Sequence, residues 1–192
     1  MKTFTFRIGQ LLIAATFICS CNTKLISIHG YNNDYDKLSE SGKSRIHTLT
    51  SFRILENAEV YVVDPVSLKE EIARHPKSLV VLYSTNCNSS SCQTISSYEK
   101  FASNNGYHLF LTMISYEGVE QAIAQNPTCP IFVVDNDYYN EKRRFIYERY
   151  FLNDLIDYPT HTKYKDIPDE MENARLFFYE NGKLVNVSKE IP

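Results

Sequence analysis

The stretch Ser78-Leu79-Val80-Val81-Leu82-Tyr83-Ser84 runs directly into Thr85-Asn86-Cys87-Asn88-Ser89-Ser90-Ser91-Cys92. A nearly unbroken apolar run bounded by polar residues is what a strand covered on both faces requires, and such strands belong to parallel sheets flanked by helices. The polar segment that follows puts two cysteines where the chain leaves that strand. Three readings of the pair are open: a redox couple, a structural staple, or half of a metal site.

Outward from this point the pattern is regular. Upstream, Glu59 to Val63 is a β-branched strand, and Asp64-Pro65 is a helix start with Asp as N-cap and Pro at the first helical position. Leu68, Ile72 and Ala73 give that helix one apolar face, until His75-Pro76 stops it. Downstream, Ser90 and Gln93 have capping-box spacing, which predicts a helix opening at Ser90. Its buried stripe is Ile95, Tyr98, Phe101 and Ala102, and Asn104-Asn105-Gly106 closes it. Tyr107 to Ile114 reads as a strand, Tyr116 to Gln125 as a short helix and Pro130 to Asp135 as a third buried strand. A helix is predicted around residues 141–156, with Tyr147, Phe151 and Leu155 on one side and Glu141-Lys142-Arg143-Arg144 as its solvated start. Ala174 to Val187 is a hairpin around Asn181-Gly182, the strongest short hairpin signal. Residues 38–52 predict a short helix with Ser39 or Ser41 near its start. Its Gly42-Lys43-Ser44 is no phosphate loop, because the glycine needed five positions earlier is Lys37. Strand and helix alternate and a hairpin closes the set. The fold class is α/β, with a sheet parallel in its middle and antiparallel at one edge.

The N-terminus has a different composition. Lys2 and Arg7 precede the apolar run Ile8 to Cys19, which is too short for a stable bilayer span and suits a signal-peptide core. The run ends in Ile18-Cys19-Ser20-Cys21, which resembles a bacterial lipobox. That resemblance implies cleavage before Cys21, a diacylglycerol on its thiol and export to a membrane facing the periplasm or the cell surface. Residues 1–20 would then be signal peptide, residues 21–36 a tether and residues 37–192 the domain. No second apolar segment is long enough for a transmembrane helix. Cleavage would remove two of the 20 basic residues and none of the 23 acidic ones, making the mature chain more negative than the full chain at −3. This balance argues against general nucleic-acid binding, which depends on clustered positive charge. An exported chain also sits where disulfides persist. With Cys21 lipidated, the usable thiols are Cys87, Cys92 and Cys129, enough for one disulfide and one odd cysteine.

The buried strand, the nearby cysteines, the helix after them, further strand–helix units and the terminal strand–Asn-Gly–strand hairpin together resemble the thioredoxin superfamily. The closest subtype is the exported TlpA-like and redoxin group, and the resemblance covers roughly residues 59–187. It implies a three-layer sandwich: a central mixed sheet, flanking helices and a C-terminal β-hairpin, with an insertion at about 136–172. Cys87 and Cys92 match the family's active cysteines, and Ala174 to Lys183 looks like its closing strand and turn. Cys129 to Asp135 looks like the extra strand of the TlpA-like group. The implied activity is thiol–disulfide exchange on envelope proteins, with no cofactor. Four features depart from the family pattern. The cysteines have four residues between them rather than two, and Asn86 replaces the usual aromatic before the first. Ala174 stands where the closing strand's cis-proline falls, and no helix follows the hairpin.

The spacing constrains the chemistry. Residues five positions apart on one helix are rotated by roughly 140°, so a paired Cys87 and Cys92 cannot share a regular helix. With Ser90 as N-cap, Cys92 would lie in the first turn and gain acidity from the helix terminus, while Cys87 would sit in a loop folded back over it. A disulfide between them closes a small loop and constrains little chain. Cys129 precedes Pro130; were that the family's proline, Cys129 would be a third, resolving thiol, and otherwise it is a small buried hydrophobe. The copper-delivery relatives of this superfamily add a distant histidine, for which His108 and His161 are the candidates. Beyond the redox reading stands a binding or assembly module that kept the fold and lost the chemistry.

Overall fold

The computed structural model describes residues 34–86, 93–157 and 173–192. One interior strand of its sheet is β3 (Lys77–Leu82), in which every residue after Lys77 is buried. Val80 and Leu82 face one core, while Leu79 and Val81 face the other. Such two-sided burial is why the sequence reads as a continuous apolar run rather than an alternation.

Around β3 the chain builds one seven-stranded sheet from β1 (Ile46–Thr48), β2 (Val60–Val63), β4 (His108–Met113), β5 (Ile131–Val134), β6 (Leu176–Glu180) and β7 (Lys183–Ser188). The order is β1-β2-β5-β4-β3-β6-β7. The first five strands in this order are mutually parallel, and β6 and β7 join antiparallel beside β3. Asn181 and Gly182 both have positive φ, 50° and 76°, the backbone that a two-residue turn of primed type needs.

Helices cover both faces. On one, α2 (Pro65–Ile72) and α5 (Arg144–Leu155) bury Leu68, Ile72, Tyr147, Phe151 and Leu155 against the sheet. On the other, α3 (Ile95–Asn105) and α4 (Val119–Ile123) bury Ile95, Tyr98, Ala102, Val119 and Ala122. The result is a three-layer α/β sandwich with a mixed central sheet. The neighbouring strands β4 and β5 hand the chain to opposite layers, β4 to α4 and β5 to α5, so their carboxyl ends part. In open α/β sheets ligands bind outside the carboxyl ends at such a point.

Two sequence expectations are corrected. Of residues 38–52 only α1 (Glu40–Lys43) is α-helical. Ser39 caps it through its hydroxyl, which accepts from the Gly42 amide at 3.0 Å. The chain then straightens into β1, held because Arg45 and His47 both grip Glu59 at 2.8 Å. Tertiary pairing overrides the local helical pattern there. The second correction concerns α3, which begins at Ile95 after an extended Thr94. Gln93 and Thr94 lie outside it, so the helix does not open at Ser90, and its first turn starts downstream of Cys92.

Candidate functional site

The segment that carries Cys87 and Cys92 leaves the sheet at the carboxyl end of β3, and its two ends are clamped. On the strand side, the Tyr83 amide donates to the Thr112 carbonyl at 2.7 Å. Thr85 packs under Gly118, whose φ is +80° and where an added Cβ would fall 1.8 Å from the Thr85 hydroxyl. Asn86, the residue before Cys87, donates its side-chain amide to Glu117 Oε1 at 2.7 Å. On the helix side, the Ile95 amide donates to Gln125 Oε1 at 3.1 Å, and the Gln125 amide donates to the Tyr83 hydroxyl at 2.6 Å. Gln125 thus replaces the expected serine cap by satisfying a first-turn N–H from α4's end of the molecule.

Beside this clamp opens a cleft of about 320 Å³, lined by the carboxyl ends of β3 and β4, the first turns of α5 and the start of β6. Its charged groups are Glu117, Arg144, Glu148 and Arg175. Arg144 hydrogen-bonds Glu117, lies 3.4 Å from the Ser115 hydroxyl and 3.9 Å from Asp34. A chain of polar contacts therefore runs from Asp34 through Arg144 and Glu117 to Asn86. Asp34 and Tyr35 belong to the segment expected as tether, yet Tyr35 meets the Tyr116 ring edge-on at 5.3 Å. Burial raises the Glu148 carboxyl above its ordinary value, against the opposing pull of Arg144, Arg149 and Arg175.

Arg144 is thus not part of a solvated cluster, as its sequence neighbours suggest. Lys142 and Arg143 are the exposed members of that cluster, and the Arg143 hydrogen bonds hold Glu141 down at about 2. Sequence reasoning also passed over Glu117, Gln125 and Glu148. None lies in a motif, and only the strand order brings them together.

The remaining expected residues fall elsewhere. Cys129 lies two residues ahead of β5, is a free thiol and is half-buried against the core that α3 covers. Burial pushes its thiol up to about 12, and the charge and hydrogen bond of Glu99 add to the effect. No peptide bond among the described residues is cis, Pro130 and Ala174 included. His108 opens β4, at the opposite end of the sheet from the cysteine segment. Its ring stacks on His75 with centroids 3.7 Å apart, so the structure does not bring it to the cysteines. Among the described residues no cluster of three His, Cys, Asp or Glu side chains is arranged to hold a metal ion. No helix among them is long and apolar enough to cross a membrane. Cys21, Cys87, Cys92 and His161 lie outside the described residues. Comparison with family models, with curated proteins and with solved structures yields no match to this chain.

Proposed function

We propose that the chain is a lipid-anchored, exported protein of thioredoxin-like type that exchanges thiols and disulfides with envelope proteins through Cys87 and Cys92. One observation carries the reading. The segment holding both cysteines joins the carboxyl end of the interior strand β3 to α3; residues on each side of it are fixed by side-chain hydrogen bonds, and those on the strand side line an open polar cleft. A parallel strand on one flank of β3, an antiparallel hairpin on the other and helices on both faces also support the family resemblance. In the reaction a thiolate of the pair attacks a partner disulfide, forming a mixed disulfide and releasing one partner thiol. The second cysteine then attacks the mixed bond, leaving the pair oxidised and the partner fully reduced. The cycle runs in reverse for an oxidant. Cys21 would supply the membrane anchor.

A second reading draws on the start of α3. The helix begins at Ile95, so its first turn does not include Cys92 and the dipole effect on that thiol is weakened. This favours a redox-inert binding or assembly module on the same fold. Equilibration of the chain in graded glutathione buffers, with thiol trapping and mass mapping, separates the two. A Cys87–Cys92 bond that titrates within the range of known exchange enzymes supports the first. A bond that resists reduction throughout, or thiols that never pair, refutes it and leaves the second.

A further inference from the structure

Four charged side chains line the cleft, and two of them are already engaged. Glu117 accepts from Arg144 and Asn86, and Arg144 faces Glu117, Ser115 and Asp34. The other two differ. Glu148, on the second turn of α5, is half-buried, and Arg175, just ahead of β6, is exposed. Both line the cleft; the Arg175 backbone pairs with Leu82 and Ser188, but neither side chain has a hydrogen-bond or ion-pair partner among the described residues. The Arg175 charge acts both on Glu148 in one helical layer and on Tyr98 in the other. The two side chains share one cleft lining, and the charges of Arg144 and Arg149 act on Glu148 ahead of that of Arg175.

We infer that this cleft binds a small zwitterion of the amino-acid or short-peptide class, its ammonium group on Glu148 and its carboxylate on Arg175. A simple anion would meet Arg175 at the cost of facing Glu148, and a simple cation would meet the reverse. A neutral ligand would desolvate both charges without pairing either. A molecule with opposite charges at its ends satisfies both. The volume agrees, since about 320 Å³ lies at the small end of ligand pockets. Burial holds the Glu148 carboxyl above its ordinary range, and an ammonium ligand would draw it back down on binding. The inference rests on the cleft alone and stands whether or not the cysteine pair is redox-active.

Titration calorimetry of the full chain in detergent with alanyl-alanine tests it, alongside the N-acetylated and the C-amidated dipeptides. The expected result is measurable binding of the free dipeptide and a loss of about tenfold for each blocked form, the scale of one charge-assisted contact. Glu148→Gln should erase the penalty for acetylation only, and Arg175→Gln the penalty for amidation only. Because the blocked dipeptides probe the native chain, the result does not depend on how the variants fold. Absence of binding, or equal binding of free and blocked dipeptides, overturns the proposal. The calorimetry reads no thiol chemistry, so failure here and failure of the redox titration are separate results.

Discussion

Two side chains show how burial and neighbours set reactivity at the scale of a single residue. Burial raises the Cys129 thiol from 9.0 to about 12, with the Glu99 carboxylate adding to it. Only the thiolate is nucleophilic, so at about pH 8 iodoacetamide should modify native Cys129 roughly a thousandfold more slowly than an ordinary thiol. Glu99→Gln removes part of the cause and should speed the reaction. Modification at the rate of an unfolded control would contradict this packing. His108 makes the complementary case. Desolvation, and then the charge of His75 stacked upon it, lower its pKa below 6.5, while Glu71 opposes them. A lowered imidazole pKa means that the unfolded chain binds the proton more readily, so stability is lost as pH falls through about 6.5. Urea midpoints taken between about pH 7.5 and pH 5.5 should therefore drop more steeply for the native chain than for His108→Gln. Parallel slopes would rule out the effect.

At the scale of elements, what was legible in the sequence is what local chemistry decides. Asp64 caps α2 as its position suggests, accepting from the Ser67 amide at 2.9 Å, and Gly106 closes α3 with a φ of +71°. The continuous runs at β3 and β5 and the Asn181-Gly182 turn were equally readable. The start of α3 was not, because Thr94 makes no side-chain cap and the Ile95 amide finds Gln125, thirty residues away. β1 escaped notice for the same reason, since its pairing with β2 is tertiary. The caps therefore differ in how they respond to substitution. Asp64→Ala should cost about 1 kcal/mol in chemical unfolding, the usual value of an N-cap. For α3, Gln125→Ala should destabilise the chain more than Thr94→Ala, although Thr94 is the residue in the cap position. The reverse order would mean that the helix start is local after all.

Over the whole molecule, the two ends of the sheet carry different burdens. The stacked histidines stand at the amino end of β4, while the cysteine segment, the Glu117–Arg144 pair and the cleft gather at the carboxyl ends. That gathering is a product of strand order. Asn86, Gly118, Gln125, Arg144 and Arg175 are spread over ninety positions of sequence with no motif among them, which is why only the cysteines marked the site beforehand. Two glycines separate what this end contributes to stability from what it would contribute to the proposed thiol exchange. Gly106 and Gly118 have similar left-handed backbones, φ +71° and +80°, so alanine at either carries a strain of roughly 1–2 kcal/mol. Around a Cβ at Gly106 nothing lies within 4 Å, whereas at Gly118 it would strike the Thr85 side chain from 1.8 Å. Thr85 is two residues ahead of Cys87, so only the second substitution forces the base of the cysteine segment to move. Gly106→Ala should lower the unfolding free energy by about that strain and leave the glutathione equilibrium of Cys87 and Cys92 unchanged. Gly118→Ala should lower it further and shift that equilibrium as well. Equal losses of stability with no redox difference would show that the close packing of Gly118 on Thr85 does not position the cysteines.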